Sequence, residues 1–147
     1  MSYVSFPEFP QSKNDPFLKT SPQSSSYNCI AWAYGDDTRW YWPDPYYIYY
    51  WHPELPREEN LDNFISLFKI KGYELCETGT LETGYIKIAI FCDKNDNPTH
   101  AAKQLENGYW SSKLGEDIDV QHTLKSIEKG IYGNVKVFLK KKTYIRF

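Results

Sequence analysis

The stretch YIKIAIFCDKNDNPTHAAKQLENGYWSSKL, residues 85–114, decides the fold. Its apolar residues alternate with polar ones and are rich in β-branched and aromatic types, which suits a pleated, half-covered surface. Two clusters of turn formers, Asp93 to Pro98 and Glu106 to Gly108, cut the run into three pieces. The pattern predicts strands over 85–92, 99–105 and 109–114, joined as antiparallel neighbours by tight turns.

Working outward, NVKVFLK (134–140) reads as a last strand, and DIDVQHTLKSI (117–127) as short helical or irregular chain. Upstream, REENLDNFISLFKIKG (57–72) carries Leu61, Phe64, Ile65 and Phe68 at helical spacing, with acids in its first turn and Gly72 at its end. Before it, WYWPDPYYIYYWHPELP (40–56) holds too many prolines for a regular element, and its aromatics must wrap the core or line a groove. Cys29 to Tyr34 fit a short helix, capped by side chains among Ser24 to Asn28 and closed by Gly35. Pro7, Pro10, Pro16 and Pro22 make residues 1–26 an extended arm. Helices first and strands afterwards predict an α+β fold, with N-terminal helices packed on a largely antiparallel sheet, in one domain spanning 1–147.

The composition narrows the function. With 147 residues, 41% hydrophobic and 24% charged, the chain can bury a core, and disorder is excluded. A net charge of −2 gives no general attraction to nucleic acid or anionic lipid. The basic segment KVFLKKKTYIRF (136–147) alternates like a strand edge guarded by lysines. The first residues carry no signal-peptide pattern, and no apolar run is long enough for a bilayer. An odd count of widely spaced cysteines, Cys29, Cys76 and Cys92, fits reduced thiols in the cytoplasm. No CxxC or HxxxH spacing occurs, so neither a metal nor another cofactor is expected.

Cys29 opens a helix, where unpaired amides favour a thiolate, whereas Cys76 and Cys92 fall in or at the ends of strands and read as core. A thiol nucleophile needs a base. Of His52, His100 and His122, it is His100 that begins a strand directly after a turn, at a sheet end that a cleft could reach. His52 lies among aromatics and prolines, and His122 in irregular chain past the third strand.

A cysteine on a leading helix followed by a histidine at the start of an antiparallel strand resembles the papain-like superfamily, in particular its small NlpC-type and transglutaminase-like members. The motifs YNCIAWA (27–33) and THAAKQLENGYWSSKLG (99–115) also look similar to a small bacterial domain of uncharacterised function placed in that superfamily. The resemblance implies a papain-like core with Cys29 as nucleophile, His100 as base and a third polar residue orienting the imidazole. The family's offset puts that third residue on Ser112, with Gln104, Glu106, Asp117 and His122 as substitutes. It also implies an oxyanion-stabilising amide from Gln23, six positions before Cys29, and a supporting place for Asn28 directly before it and for His122. Trp40, Trp42 and Trp110 are candidates for a substrate groove.

The function expected is a thiol hydrolase or acyltransferase (peptidase, amidase or deamidase) acting on a peptide or isopeptide amide of a peptide or protein substrate. The alternatives are a non-catalytic protein- or glycan-binding module on the same scaffold, with an unreactive Cys29, or a toxin- or immunity-type interaction protein.

Overall fold

Residues 2–143 are described by the structure, a computed structural model. The chain runs through β1 (Tyr3–Val4), a 3-10 turn (Pro10–Lys13), β2 (Phe17–Lys19), α1 (Cys29–Tyr34), α2 (Leu61–Ile70) and β3 (Glu74–Cys76). It continues through β4 (Tyr85–Cys92), β5 (Pro98–Gln104), β6 (Trp110–Lys113), β7 (Asp119–His122), α3 (Leu124–Ile127) and β8 (Asn134–Lys142). The eight strands form one sheet in the order β1-β2-β7-β6-β5-β4-β8-β3, every pairing antiparallel.

The centre of the sheet is the β4 to β7 meander. Asp93 closes its first turn by accepting from the amides of Asn95 and Asn97 at 2.8 and 3.0 Å, and Gly108, at φ +88°, turns the second. β8 returns along the other side of β4. Its register jumps from Ile90↔Val137 to Phe91↔Val135, so Lys136 is a bulged residue. The bulge reverses the alternation, and Val135 reaches the same face as Phe138 while Val137 and Leu139 reach the other.

Both faces are covered. On the first, Ile88, Ile90, Ala101 and Leu139 meet Ile30 and Ala33 of α1, Phe64, Leu67 and Phe68 of α2, and Tyr41 and Trp51 of the aromatic loop. On the second, Ala89, Phe91, Ala102, Trp110 and Val120 meet Phe9, Phe17 and Ile127. Each fully buried phenylalanine contributes roughly 1.5–3 kcal/mol of transfer free energy.

The α+β expectation, with N-terminal helices packed on the sheet as a papain-like core, is overturned: the fold is β-rich. Among the described residues its helices are three and short, of 6, 10 and 4 residues, and eight strands carry the architecture. The N-terminal arm supplies two of those strands. β1 pairs with β2, and β2 with β7, through Leu18↔Gln121 and Lys19↔Val120. Strands of two or three residues are too short to display a period-two pattern, so proline and serine density hid them.

Residues 40–51 divide by exposure. Tyr41 and Trp51 are buried, while Tyr46, Tyr47 and Ile48 stand out at 81%, 78% and 70% exposed. Asp44 holds that tip by accepting from the amides of Tyr46, Ile48 and Tyr49, and Arg57 pairs with its carboxylate at 3.2 Å. No helix among the described residues is long and apolar enough to cross a membrane. Of the basic C-terminal segment, 136–142 lies in β8, and 144–147 lie outside the described residues.

Gly133, at φ +74°, brings the loop before β8 against β4: a Cβ there would stand 2.2 Å from the Cys92 carbonyl oxygen. Gly84, at φ +83°, has open space around it. Thermal denaturation followed by circular dichroism should therefore separate the two. Gly84→Ala is expected to cost about 1 kcal/mol of backbone strain, and Gly133→Ala roughly 2–5 kcal/mol because strain and clash combine.

Candidate active site

Three neighbouring strands place three polar side chains on the second face. In β6–β7, Trp110 pairs with His122 and Ser112 with Val120, so Ser112 and His122 are diagonal neighbours. The β5–β6 ladder is made only at Lys103↔Ser111 and Gln104↔Trp110. Continuing that register sets Ala102 opposite Ser112, which makes His100 its diagonal neighbour on the other side. The Ser112 hydroxyl lies 2.8 Å from His100 Nε2 and 2.7 Å from His122 Nε2. His100 and Ser112 are fully buried and His122 nearly so.

The protons in this chain follow from its far end. His122 Nδ1 lies 2.9 Å from the Thr123 carbonyl oxygen, which can only accept, so Nδ1 carries the hydrogen. Burial holds the imidazole neutral, pushing its pKa down to about 4 against a lesser opposing pull from the Thr123 carbonyl and Asp15. A neutral ring protonated at Nδ1 accepts at Nε2, so the Ser112 hydroxyl donates to His122 and accepts from His100 Nε2–H. Burial, with His122 close by, also pushes His100 well below the ordinary range. Its Nδ1 is therefore a bare lone pair, and this atom is buried with no hydrogen-bond partner among the described residues. The ring stacks flat on Tyr132, at 4.0 Å and 6°. Tyr132 is set by the close turn at Gly133 and by Thr99, whose hydroxyl donates to the Tyr132 carbonyl at 2.5 Å.

Cys29 approaches from the first face, on α1, at 6% exposure. Asn28 caps the helix: its Oδ1 accepts from the amides of Ala31 and Tyr41, and its Nδ2 donates to the Tyr41 carbonyl. Where β5 and β6 part, the Ala101 amide is directed at the Cys29 sulfur, as are those of Ile30 and Cys29 itself. Burial outweighs these amides and pushes the thiol up to about 11. No hydrogen bond joins the sulfur to His100, since Nδ1 has no partner. The residue after His100 nevertheless meets Cys29 through its amide, and burial pushes the Tyr132 phenol that stacks on His100 well above the ordinary range.

The remaining candidates lie apart from this pair. Gln23 is exposed on the loop leading to α1, with no side-chain hydrogen bond. Gln104 donates to the Gly79 carbonyl, Glu106 is exposed in a turn, and Asp117 caps the Ile118 amide. Trp110, assigned to the substrate groove, is 3% exposed beside Phe138 in the second core, because it faces inward with Ser112. Trp42 packs on Phe64, and Trp40 on Tyr49. Cys92 is buried and its thiol is also pushed up to about 11, chiefly by burial. His52 only accepts from the Glu54 amide.

The sequence reading missed two residues. Tyr132 reaches His100 through topology alone, and no local pattern signals it. Lys113 could have been noticed: period two in WSSK puts it on the face opposite Trp110 and Ser112, so a sheet covered on both faces must bury it. It is fully buried.

These features define a β-rich, single-sheet protein with a buried histidine–serine–histidine chain beside a helix-borne cysteine. The chain belongs to the family described as Domain of unknown function (DUF7689), whose model matches residues 18–140. No curated protein and no solved structure matches it.

Stability should peak between about pH 6.5 and 9. Below 6.5 the unfolded chain binds protons that His100 and His122 refuse when folded, so stability falls, for His122 by roughly 3 kcal/mol by the time the pH reaches about 4. Above 9 the unfolded thiols ionise while Cys29 and Cys92 stay neutral in the fold until about 11, so stability falls again. Urea melts across pH 4–10 would show the two flanks. Ser112→Ala, which strands both Nε2 atoms, should cost roughly 2–4 kcal/mol in the same melts.

Proposed function

We propose that the protein is a thiol-dependent acyl-transfer enzyme, a peptidase, amidase or deamidase acting on a peptide or isopeptide amide, with Cys29 as nucleophile and His100 as base. The observation that carries this reading is the bare, buried Nδ1 of His100, fixed in the basic tautomer by Ser112 and His122 and lying one residue from the amide that meets the Cys29 sulfur. A neutral imidazole with its free lone pair directed away from its orienting partner is the form that accepts a thiol proton. What is kept from the likeness to papain-like enzymes is the division of roles, with Ser112 in the orienting place and His122 behind it.

The thiol proton passes to His100 Nδ1 as the sulfur adds to the amide carbonyl. The imidazolium then gives that proton to the leaving nitrogen as the C–N bond breaks. Water adds to the thioester as His100 takes its proton, the C–S bond breaks, and the imidazolium returns that proton to the sulfur as the acid departs, which restores the thiol. At 6% exposure the sulfur is reached by a substrate only if the residues over it move. Three free cysteines suit a reducing, cytoplasmic setting, and the scheme calls for no metal, nucleic acid or membrane.

The burial that pushes Cys29 up favours a second reading, an inert core thiol in a binding module that recognises a protein or glycan through the exposed tip at Tyr46 to Tyr49. Incubation with p-nitrophenyl acetate, followed by peptide mass mapping, separates the two. The enzyme reading expects acetyl-Cys29 in the wild type, formation slowed at least ~100-fold in His100→Ala and about tenfold in Ser112→Ala. Acylation of Cys29 in His100→Ala at the wild-type rate, with a native circular dichroism spectrum, would leave the binding module standing.

A further inference from the structure

Four consecutive large apolar side chains, Tyr46 to Tyr49, stand exposed at the tip of the aromatic loop. Single apolar residues on a surface are ordinary, but a contiguous group marks a contact with another molecule. This tip is built to hold its shape. Asp44, itself buried, accepts from the Tyr46 amide at 3.1 Å and from those of Ile48 and Tyr49 at 2.9 Å. Arg57 ties the other side, donating to the Asp44 carbonyl at 3.0 Å and to the Tyr49 carbonyl at 2.9 Å. Between these anchors Tyr47 sits at φ +58°, a left-handed conformation that a bulky residue adopts only where its surroundings impose it. A tip fixed in this way gives up little conformational freedom when it binds.

Its neighbourhood states the chemistry of the partner. The tyrosine faces of this loop already carry guanidinium groups, Arg39 at 3.6 Å from the Tyr50 ring centre and Arg57 at 4.2 Å from that of Tyr47. Tyr49 pairs with Trp40. Tyr46 presents the same kind of ring with no aromatic or cationic neighbour among the described residues.

The charge balance points the same way. Residues 36–62 hold two arginines and no lysine, and both arginines are consumed in ion pairs, with Asp36 at 3.1 Å and with Asp44 at 3.2 Å. Asp37, Glu54, Glu58, Glu59 and Asp62 are exposed and make no ion pair among the described residues. Glu59 accepts from the Trp42 indole N–H, and Glu58 adjoins Arg57, which is bonded to the tip. Uncompensated carboxylates repel phosphate backbones and anionic headgroups and attract cations.

We propose that the tip at Tyr46 to Tyr49 docks a basic protein segment, with an arginine guanidinium on the free face of Tyr46 and neighbouring basic side chains against Glu58 and Glu59. It rests on neither reading of Cys29, since a basic protein can be recruited to an enzyme as readily as to a binding module. Arginine suits the site better than lysine because its planar group stacks on an aromatic face while its N–H groups remain free for carboxylates.

The test is fluorescence anisotropy of a fluorescein-labelled Gly-Arg-Gly-Arg-Gly-Arg peptide titrated with the full chain at low ionic strength, with the lysine counterpart alongside. The arginine peptide should bind more tightly than the lysine one. Tyr46→Phe should keep the affinity, and Tyr46→Leu, which keeps apolar area but removes the ring face, should weaken it about threefold. Glu58→Gln combined with Glu59→Gln keeps both acceptors and should weaken binding by about the same factor while flattening its salt dependence. No binding of the arginine peptide, or equal affinity in wild type and Tyr46→Leu with native circular dichroism, overturns the inference. Binding of chitohexaose or of phosphatidylserine vesicles that is lost in Tyr46→Leu, beside unchanged peptide binding, also overturns it and assigns the tip to a glycan or a membrane. The titration does not involve Cys29, so its failure and a failure of the acetylation test are read apart.

Discussion

The hydrogen bond from His122 Nδ1–H to the Thr123 carbonyl, 2.9 Å long, sets the protonation of everything behind it. Because a carbonyl cannot donate, it forces the direction of each remaining bond, through Ser112 to His100, and leaves the final lone pair unoccupied. The chain forms only if β5, β6 and β7 hold their register, since a one-residue slip in any of them would send its member to the opposite face. The Asp93 turn, the Gly108 turn and the pairing of β2 with β7 all serve that register.

The parting of β5 and β6 is the second requirement. A ladder continued past Lys103↔Ser111 would consume the Ala101 amide and seal the two faces from each other. Because it stops, the Ala101 amide, one residue past His100, is left to meet the sulfur of Cys29 on the first face, while His100 itself points to the second. This arrangement is expensive: two neutral imidazoles, a raised thiol and the Lys113 ammonium are all held away from water. Phe17, Phe91 and Ile127 on one face and Phe64, Phe68 and Leu139 on the other offset that cost.

What could be read from the sequence was whatever repeats or caps itself locally. The strands at 85–92, 99–105 and 109–114 lie within one residue of β4 and β5 and overlap β6, and Leu61, Phe64, Ile65 and Phe68 mark α2. Asn28 and Gly35 bound α1, the glycine at φ +101°. What could not be read depends on partners distant in the chain. Tyr3–Val4 and Phe17–Lys19 are strands only because β7 is there to pair with, and the stretch 117–127, read as helical or irregular, splits into β7 and α3. A fold class inferred from helices that precede strands therefore overweighted two short helices against eight strands. The contact of Ser112 with His100 could be anticipated from an offset of twelve residues; the stacking of Tyr132 on that imidazole could not, since it depends on Gly133 meeting Cys92.

The central claim concerns a single lone pair, and nitrogen-15 NMR of histidine-labelled protein at pH 7 reads it directly through the shifts of the two ring nitrogens. The account predicts His122 as the neutral Nδ1–H tautomer and His100 as the neutral Nε2–H tautomer, with a high-frequency, unprotonated Nδ1 whose signal collapses toward the exchanging average in Ser112→Ala. A His100 ring protonated at Nδ1, or present as the imidazolium, would mean that the lone pair is already occupied, and the account of Cys29 activation would fail.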